Sequence, residues 1–228
     1  MLHRVQCVSL PRSGHNLLVS HLQKYFESSH ICVPINKRQK PFFGRNRKSE
    51  SKPSTTEAKF HYCEYYYACR QVPCEHEGNS FQKSHDFDLS LAYDPDQKFL
   101  VQYRNPLSLL ISWFEMRLPK NREVDSATGF LAFVDRNQDY VKGFRSKWIE
   151  SELPNRLLVD YEFYISKPME TLTRVVNFFD DGIEVDESKI NRIVEDVKPA
   201  KVDSQFRYYD AVAHRTELWT STSGLTSS

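Results

Sequence analysis

The sequence predicts an α/β protein in three layers, a central parallel β-sheet with helices on both faces. Three observations lead to that class. Short apolar runs of strand length alternate along the chain with longer segments whose apolar residues recur every three or four positions. Alternation of this kind joins parallel strands through helical crossovers. The chain has 228 residues, enough for one domain with a sizeable core, and its 39% hydrophobic and 27% charged content excludes a disordered polymer. No apolar stretch approaches the roughly 18 residues of a membrane-spanning helix.

The elements follow in order. Residues 4–10 read as a buried strand, and Pro11-Arg12-Ser13-Gly14 as a turn. Leu18, His21, Leu22, Tyr25 and Phe26 then fall on one face of an amphipathic helix. Residues 36–59 have no periodicity and are rich in Lys, Arg, Ser and Pro, which marks an exposed insertion. Residues 60–70 are densely aromatic. Ser80–His85 and Lys98–Tyr103 are further strands. Asn105 stands as an N-cap with Pro106 at the first helical position, and Leu109, Leu110, Trp113 and Phe114 give that helix its apolar face. Residues 127–150 read as helical with breaks, one of them at Gly143. Arg156–Asp160 is the fourth strand, closed by Tyr161-Glu162. Pro168 opens a helix with Leu172, Val175, Val176 and Phe179, and Asp186 caps a last one with Ile190, Ile193, Val194 and Val197. One domain over 1–219 is expected, with a polar tail at 220–228 that is expected to be disordered.

Net charge is +1, too low for a general polyanion binder, so no nucleic-acid partner is expected. Seven basic residues and one acid between Lys37 and Lys52 give that segment +6 against −5 for the remainder. It is either a solvated loop or an electrostatic guide for an anionic ligand. The first residues run straight into a strand pattern, without a long apolar region or a small-residue cleavage site. With an odd number of cysteines, five, the expectation is a cytoplasmic protein with reduced thiols. His61, Cys63, Cys69, Cys74 and His76 lie close enough in sequence to suit zinc, but no paired C-x₂-C occurs, so free thiols are the plainer reading and no metal is expected. Tyr65, Tyr66 and Tyr67 suit an acceptor pocket or ordinary packing.

In parallel sheets ligands bind at the carboxyl ends of the strands. Those ends carry residues 11–16, 83–85, 104–105 and 161–162. Backbone N–H groups at a helix start favour anions. Gly14 allows close approach, Ser13 can donate a hydrogen bond and Arg12 supplies a cation, so 11–16 can cradle a phosphate, although no Walker A pattern is present. Arg104, with Ser112 eight residues on, can grip a second phosphate. His85, beside Lys83, can act as a general base. Taken singly, each also suits a plain structural role: a strand-to-helix turn, a surface cation, a hydrogen-bonded histidine.

Together, PRSG (11–14), KSH (83–85), RNPLSLLIS (104–112) and YEFYISKP (161–168) resemble the sulfotransferases that use 3′-phosphoadenosine 5′-phosphosulfate (PAPS), in that family's order and over roughly 4–180. The resemblance implies a P-loop-like nucleotide fold and PAPS as co-substrate, with no metal required. Arg12, Ser13, Gly14, His15 and Asn16 would hold the 5′-phosphosulfate, Arg104 and Ser112 the 3′-phosphate, with Tyr161 adjoining. His85 would be the base, assisted by Arg12 and Lys83, and Glu162 the next candidate. His15-Asn16-Leu17 departs from the Thr-Thr-Trp that many members carry, so adenine stacking is not assigned. The late R-K-G contact has no clear counterpart, with Lys198, Lys201 and Arg207 as substitutes. The acceptor is a small molecule or a glycan, and the oligomeric state is not implied. A P-loop phosphotransferase would need a lysine-serine pair and a Mg²⁺-binding acid that the first loop lacks. A non-catalytic nucleotide- or glycan-binding module is the other alternative.

Overall fold

The computed structural model describes residues 5–27, 29–30, 61–64, 80–86, 88–89, 97–120, 122–179, 182–197 and 208. The expectations for 36–59, the tyrosines and cysteines of 65–76, Lys198, Lys201, Arg207 and the tail lie outside these residues.

Strand β1 (Val5–Ser9) leads into α1 (His15–Tyr25). Two short strands follow, β2 (Ser29–His30) and β3 (His61–Glu64), and then β4 (Phe81–Ser84) and β5 (Lys98–Tyr103). Helix α2 (Pro106–Arg117) runs through a 3₁₀ turn at Leu118–Lys120 towards α3 (Ala127–Arg145), which passes into a π-helical turn at Ser146–Glu150. Strand β6 (Arg156–Asp160), α4 (Tyr161–Ser166), α5 (Pro168–Phe179) and α6 (Glu187–Asp196) complete the order.

The six strands form one sheet in the order β2-β3-β4-β1-β5-β6, parallel at every pairing. Side chains alternate between its faces because a strand repeats every two residues. Val5, Cys7 and Leu100 enter one core with Leu18 and Leu22 of α1, Val175, Val176 and Phe179 of α5, and Ile190 and Ile193 of α6. Val8, Phe99 and Val101 enter the other with Leu110 and Phe114 of α2 and Phe130, Phe133 and Trp148 beyond. The expected three layers are present. No helix among the described residues is long and apolar enough to cross a membrane.

Three details differ from the sequence reading. β3 extends the sheet where only an aromatic segment was expected, and β2 adds an edge strand at residues to which no element was assigned. Gly143 does not break its helix; a Cβ there would meet nothing within 4 Å, and the ladder continues to Arg145 before it widens. Tyr161-Glu162 begins a helix rather than closing a strand, because the Asp160 side chain accepts from Phe163 N and caps it. The caps at Asn105 and Asp186 stand as expected, Asn105 Oδ1 accepting from Leu107 N and Ser108 N.

β1 lies between β4 and β5, and the chain departs from it in opposite directions on its two sides. The carboxyl ends of these three strands therefore border one crevice.

Candidate active site

The turn after β1 is built under strain. Ser13 N donates to Leu10 O at 3.3 Å, which closes a four-residue turn with Pro11 and Arg12 at its centre. Pro suits the first central position, but a positive φ at the second is ordinarily met by glycine or asparagine. Arg12 occupies it at φ 70°, and Gly14 follows at φ 80° as the N-cap of α1. A left-handed residue other than glycine costs roughly 1–2 kcal/mol. Gly14 has no such latitude to lose, since a Cβ there would fall on Cδ2 and Cε2 of the Tyr161 ring and lie 3.3 Å from Gln102 Nε2.

The residues singled out at the four strand ends converge on this turn. Arg12 Nε donates to Ser112 Oγ at 3.1 Å, and Arg104 Nη1 donates to the Arg12 carbonyl at 3.3 Å. The buried Arg104 guanidinium lies 4.6 Å from the centre of the Tyr161 ring, and its Nε lies 3.4 Å from Glu162 Oε1 without hydrogen-bond alignment. Glu162 Oε2 accepts from Asn105 N at 3.1 Å, so this acid serves the Arg104 end of the crevice as a structural partner. From the other side, Lys83 Nζ donates to Asn16 Oδ1 at 2.5 Å.

The two histidines share one anchor. His85 Nδ1 lies 3.0 Å from the Ser9 carbonyl, and His15 Nδ1 bonds the Ser9 hydroxyl. A carbonyl can only accept, so His85 carries its proton on Nδ1 and its basic lone pair on Nε2. Burial pushes His15 well below the ordinary histidine range, and Lys83 and His85 add to the shift, so its ring is neutral. Burial likewise raises the Cys7 thiol under the turn, which makes it a poor nucleophile. Tyr103, at the end of β5, is pushed up to about 12, chiefly by burial and then by the Asp160 carboxylate.

Several buried polar atoms around the turn have no hydrogen-bond partner among the described residues: Ser13 Oγ, His15 Nε2 and both amide atoms of Gln102. Unpaired buried groups cost about 1–3 kcal/mol each. Beside them stand the cations Arg12, Lys83 and Arg104 and the backbone N–H groups at the start of α1. Cations and helix-start N–H groups gathered around these atoms suit a ligand carrying phosphate or sulfate groups. Ser9 and Gln102 do not stand out in the sequence as binding-site residues. Ser9 and Gln102 are internal strand residues, and only their place at a strand end could single them out.

The family model described as "Sulfotransferase domain" matches residues 3–205. Among solved structures, mouse sulfotransferase SULT7A1 complexed with PAP matches with a TM-score of 0.58 at 14% identity, covering 95% of this chain and 82% of that one. The sulfotransferase domain of the Synechococcus PCC 7002 olefin synthase is similar at 15% identity with a TM-score of 0.45, covering 87% and 82%. No curated protein matches the sequence.

Proposed function

The chain belongs to the sulfotransferase domain family, and from that premise we propose that it moves the sulfuryl group of PAPS to a hydroxyl or amine of a small-molecule or glycan acceptor, with His85 as general base. The acceptor oxygen forms a bond to sulfur while the bond from sulfur to the bridging phosphate oxygen breaks. The acceptor proton passes to His85 Nε2, and 3′-phosphoadenosine 5′-phosphate (PAP) leaves with the bridging electron pair.

One observation carries the assignment of the base: the hydrogen bond from His85 Nδ1 to the Ser9 carbonyl, at 3.0 Å. It sets the tautomer a base needs and ties the ring to the strand that leads into the phosphate turn. Charge builds on the bridging oxygen as the bond breaks. Arg12, Lys83 and the N–H groups of residues 13–16 are the electrostatic partners for it, with Arg12 fixed in charge throughout. Arg104 and Ser112, with Tyr161 against the guanidinium, hold the 3′-phosphate in this reading. Their contacts stay alike through the reaction, so they govern donor affinity more than turnover.

The test is a screen of hydroxyl and amine acceptors with isotopically labelled PAPS, read by mass spectrometry for an added sulfuryl group. With an acceptor in hand, His85→Ala lowers kcat by roughly 10²–10⁴ while PAP binding stays within about twofold. Turnover within a few-fold of the parent would place the base elsewhere. Thermal stabilisation by ATP with Mg²⁺ but not by PAP would overturn the donor.

A further inference from the structure

The residue that follows the proposed base is held by a distorted piece of helix. Asp86 Oδ1 accepts a hydrogen bond from the indole Nε1 of Trp148 at 2.7 Å and an ion pair from Lys147 Nζ, also at 2.7 Å. Both partners come from the π-helical turn Ser146–Glu150 at the end of α3. π-turns are uncommon, and where they occur they are frequently at functional sites.

The turn is itself fastened. Two of its carbonyls, those of Lys147 and Trp148, take side-chain donors. Arg156 Nη1, at the start of β6, donates to Trp148 O at 2.9 Å and to Ser151 O at 2.7 Å, and Ser151 Oγ donates to Lys147 O at 2.5 Å. Trp148 is fully buried, its ring 5.7 Å from Phe99 and 6.4 Å from Phe144, and Lys147 Nζ lies 5.5 Å from the indole centre. The indole therefore has one place to point.

We infer that Trp148 is a positioning residue for the sulfuryl-transfer step: through Asp86 it holds the backbone of His85 so that Nε2 faces the reacting centre. His85 is then secured twice, by its ring to β1 and by its neighbour to the π-turn. This rests on His85 being the base. A displacement of about 1 Å in a reacting group can cost up to roughly 10²-fold in rate.

The experiment compares four variants of the full chain, using the acceptor from the screen and PAPS as donor. Trp148→Phe keeps an aromatic ring but deletes the N–H. It is expected to lower kcat about tenfold, with the KM for PAPS and the PAP dissociation constant within twofold. Asp86→Ala, which also loses the Lys147 ion pair, is expected to fall at least as far. Asp86→Asn, which keeps an oxygen for the indole, is expected to recover most of that loss. Because Trp148 acts through Asp86, Trp148→Phe/Asp86→Ala is expected to be no slower than Asp86→Ala alone. Equal kcat for Trp148→Phe and the parent overturns the inference, as does strictly multiplicative loss in the double variant. A KM rise at unchanged kcat overturns it too, because that marks a donor contact. If Trp148→Phe does not fold, the Asp86→Ala and Asp86→Asn pair decides, and equal loss in both refutes the role. His85→Ala is run alongside. If His85→Ala keeps its turnover, the base assignment has failed; if it loses turnover and Trp148→Phe does not, only the positioning role has.

Discussion

Gly14→Ala tests the turn most directly, because one methyl group strikes the feature to which the proposed function assigns donor binding. A Cβ at Gly14 lands on the Tyr161 ring, and that ring is the surface against which Arg104 lies at 4.6 Å. Three contributions set the magnitude. Alanine at φ 80° costs roughly 1–2 kcal/mol. Loss of glycine freedom in the unfolded chain returns about 0.4–1 kcal/mol. A displaced Tyr161 forfeits its contact with the guanidinium, about 0.5–2 kcal/mol. The net is destabilisation by about 1–3 kcal/mol, or a fall in Tm of roughly 3–10 °C for a chain of this size. Donor binding suffers separately. If Arg104 moves with the ring, a charge-assisted contact of about 1.5–3 kcal/mol weakens, and PAP affinity drops about tenfold or more. Thermal melts with and without PAP, together with calorimetric titration, measure both effects. Gly14→Asn separates the causes, since asparagine tolerates a positive φ but still brings a Cβ onto the ring. If Gly14→Ala melts within 1 °C of the parent and binds PAP within twofold, the turn does not position the donor through Tyr161.

Arg12→Gly should separate stability from activity. It relieves the positive φ, so its Tm is expected within about 3 °C of the parent or above it, while turnover falls roughly 10²–10³-fold through loss of the cation. A variant that keeps its rate removes Arg12 from the chemistry. Stability should also depend on pH through the buried His21. Its Nε2 donates to Val197 O at 2.8 Å, its Nδ1 accepts from the Tyr164 hydroxyl, and burial lowers its pKa in the fold. The unfolded chain therefore binds the proton more readily. The resulting stability is present in full above about pH 6.5 and is lost as pH falls through the lower folded value. Thermal melts from pH 8 to pH 5 are expected to fall more steeply for the parent than for His21→Gln, and parallel curves would contradict this.

The fold was legible because its signals are local. The helices of residues 15–25, 106–117, 168–179 and 187–196 announce themselves by apolar spacing, and three of them by Asn105, Pro168 and Asp186 at their starts. The turn after the first strand was legible because Pro11 and Gly14 sit between a strand and a helix. Gly143 misled because a glycine lowers helix propensity, yet α3 spans it within a packed layer that outweighs about 1 kcal/mol. The partners of the site were not legible. Arg12 reaches Ser112 across 100 residues, and Trp148 reaches Asp86 across 62. Such pairs exist only once the sheet has set its strand order, and no spacing rule encodes them. The π-turn is equally silent, because Arg156 from the next strand fastens it at the Trp148 carbonyl and at Ser151 just beyond.

Both imidazoles of the site hang from a single residue, Ser9, one by its carbonyl and one by its hydroxyl. Thermal breathing of the sheet at that point carries the two rings along in common, and their separation is buffered against motions that would blur the remainder of the crevice. Efforts to widen acceptor scope should accordingly leave the last residue of the central strand untouched and remodel the loops facing it.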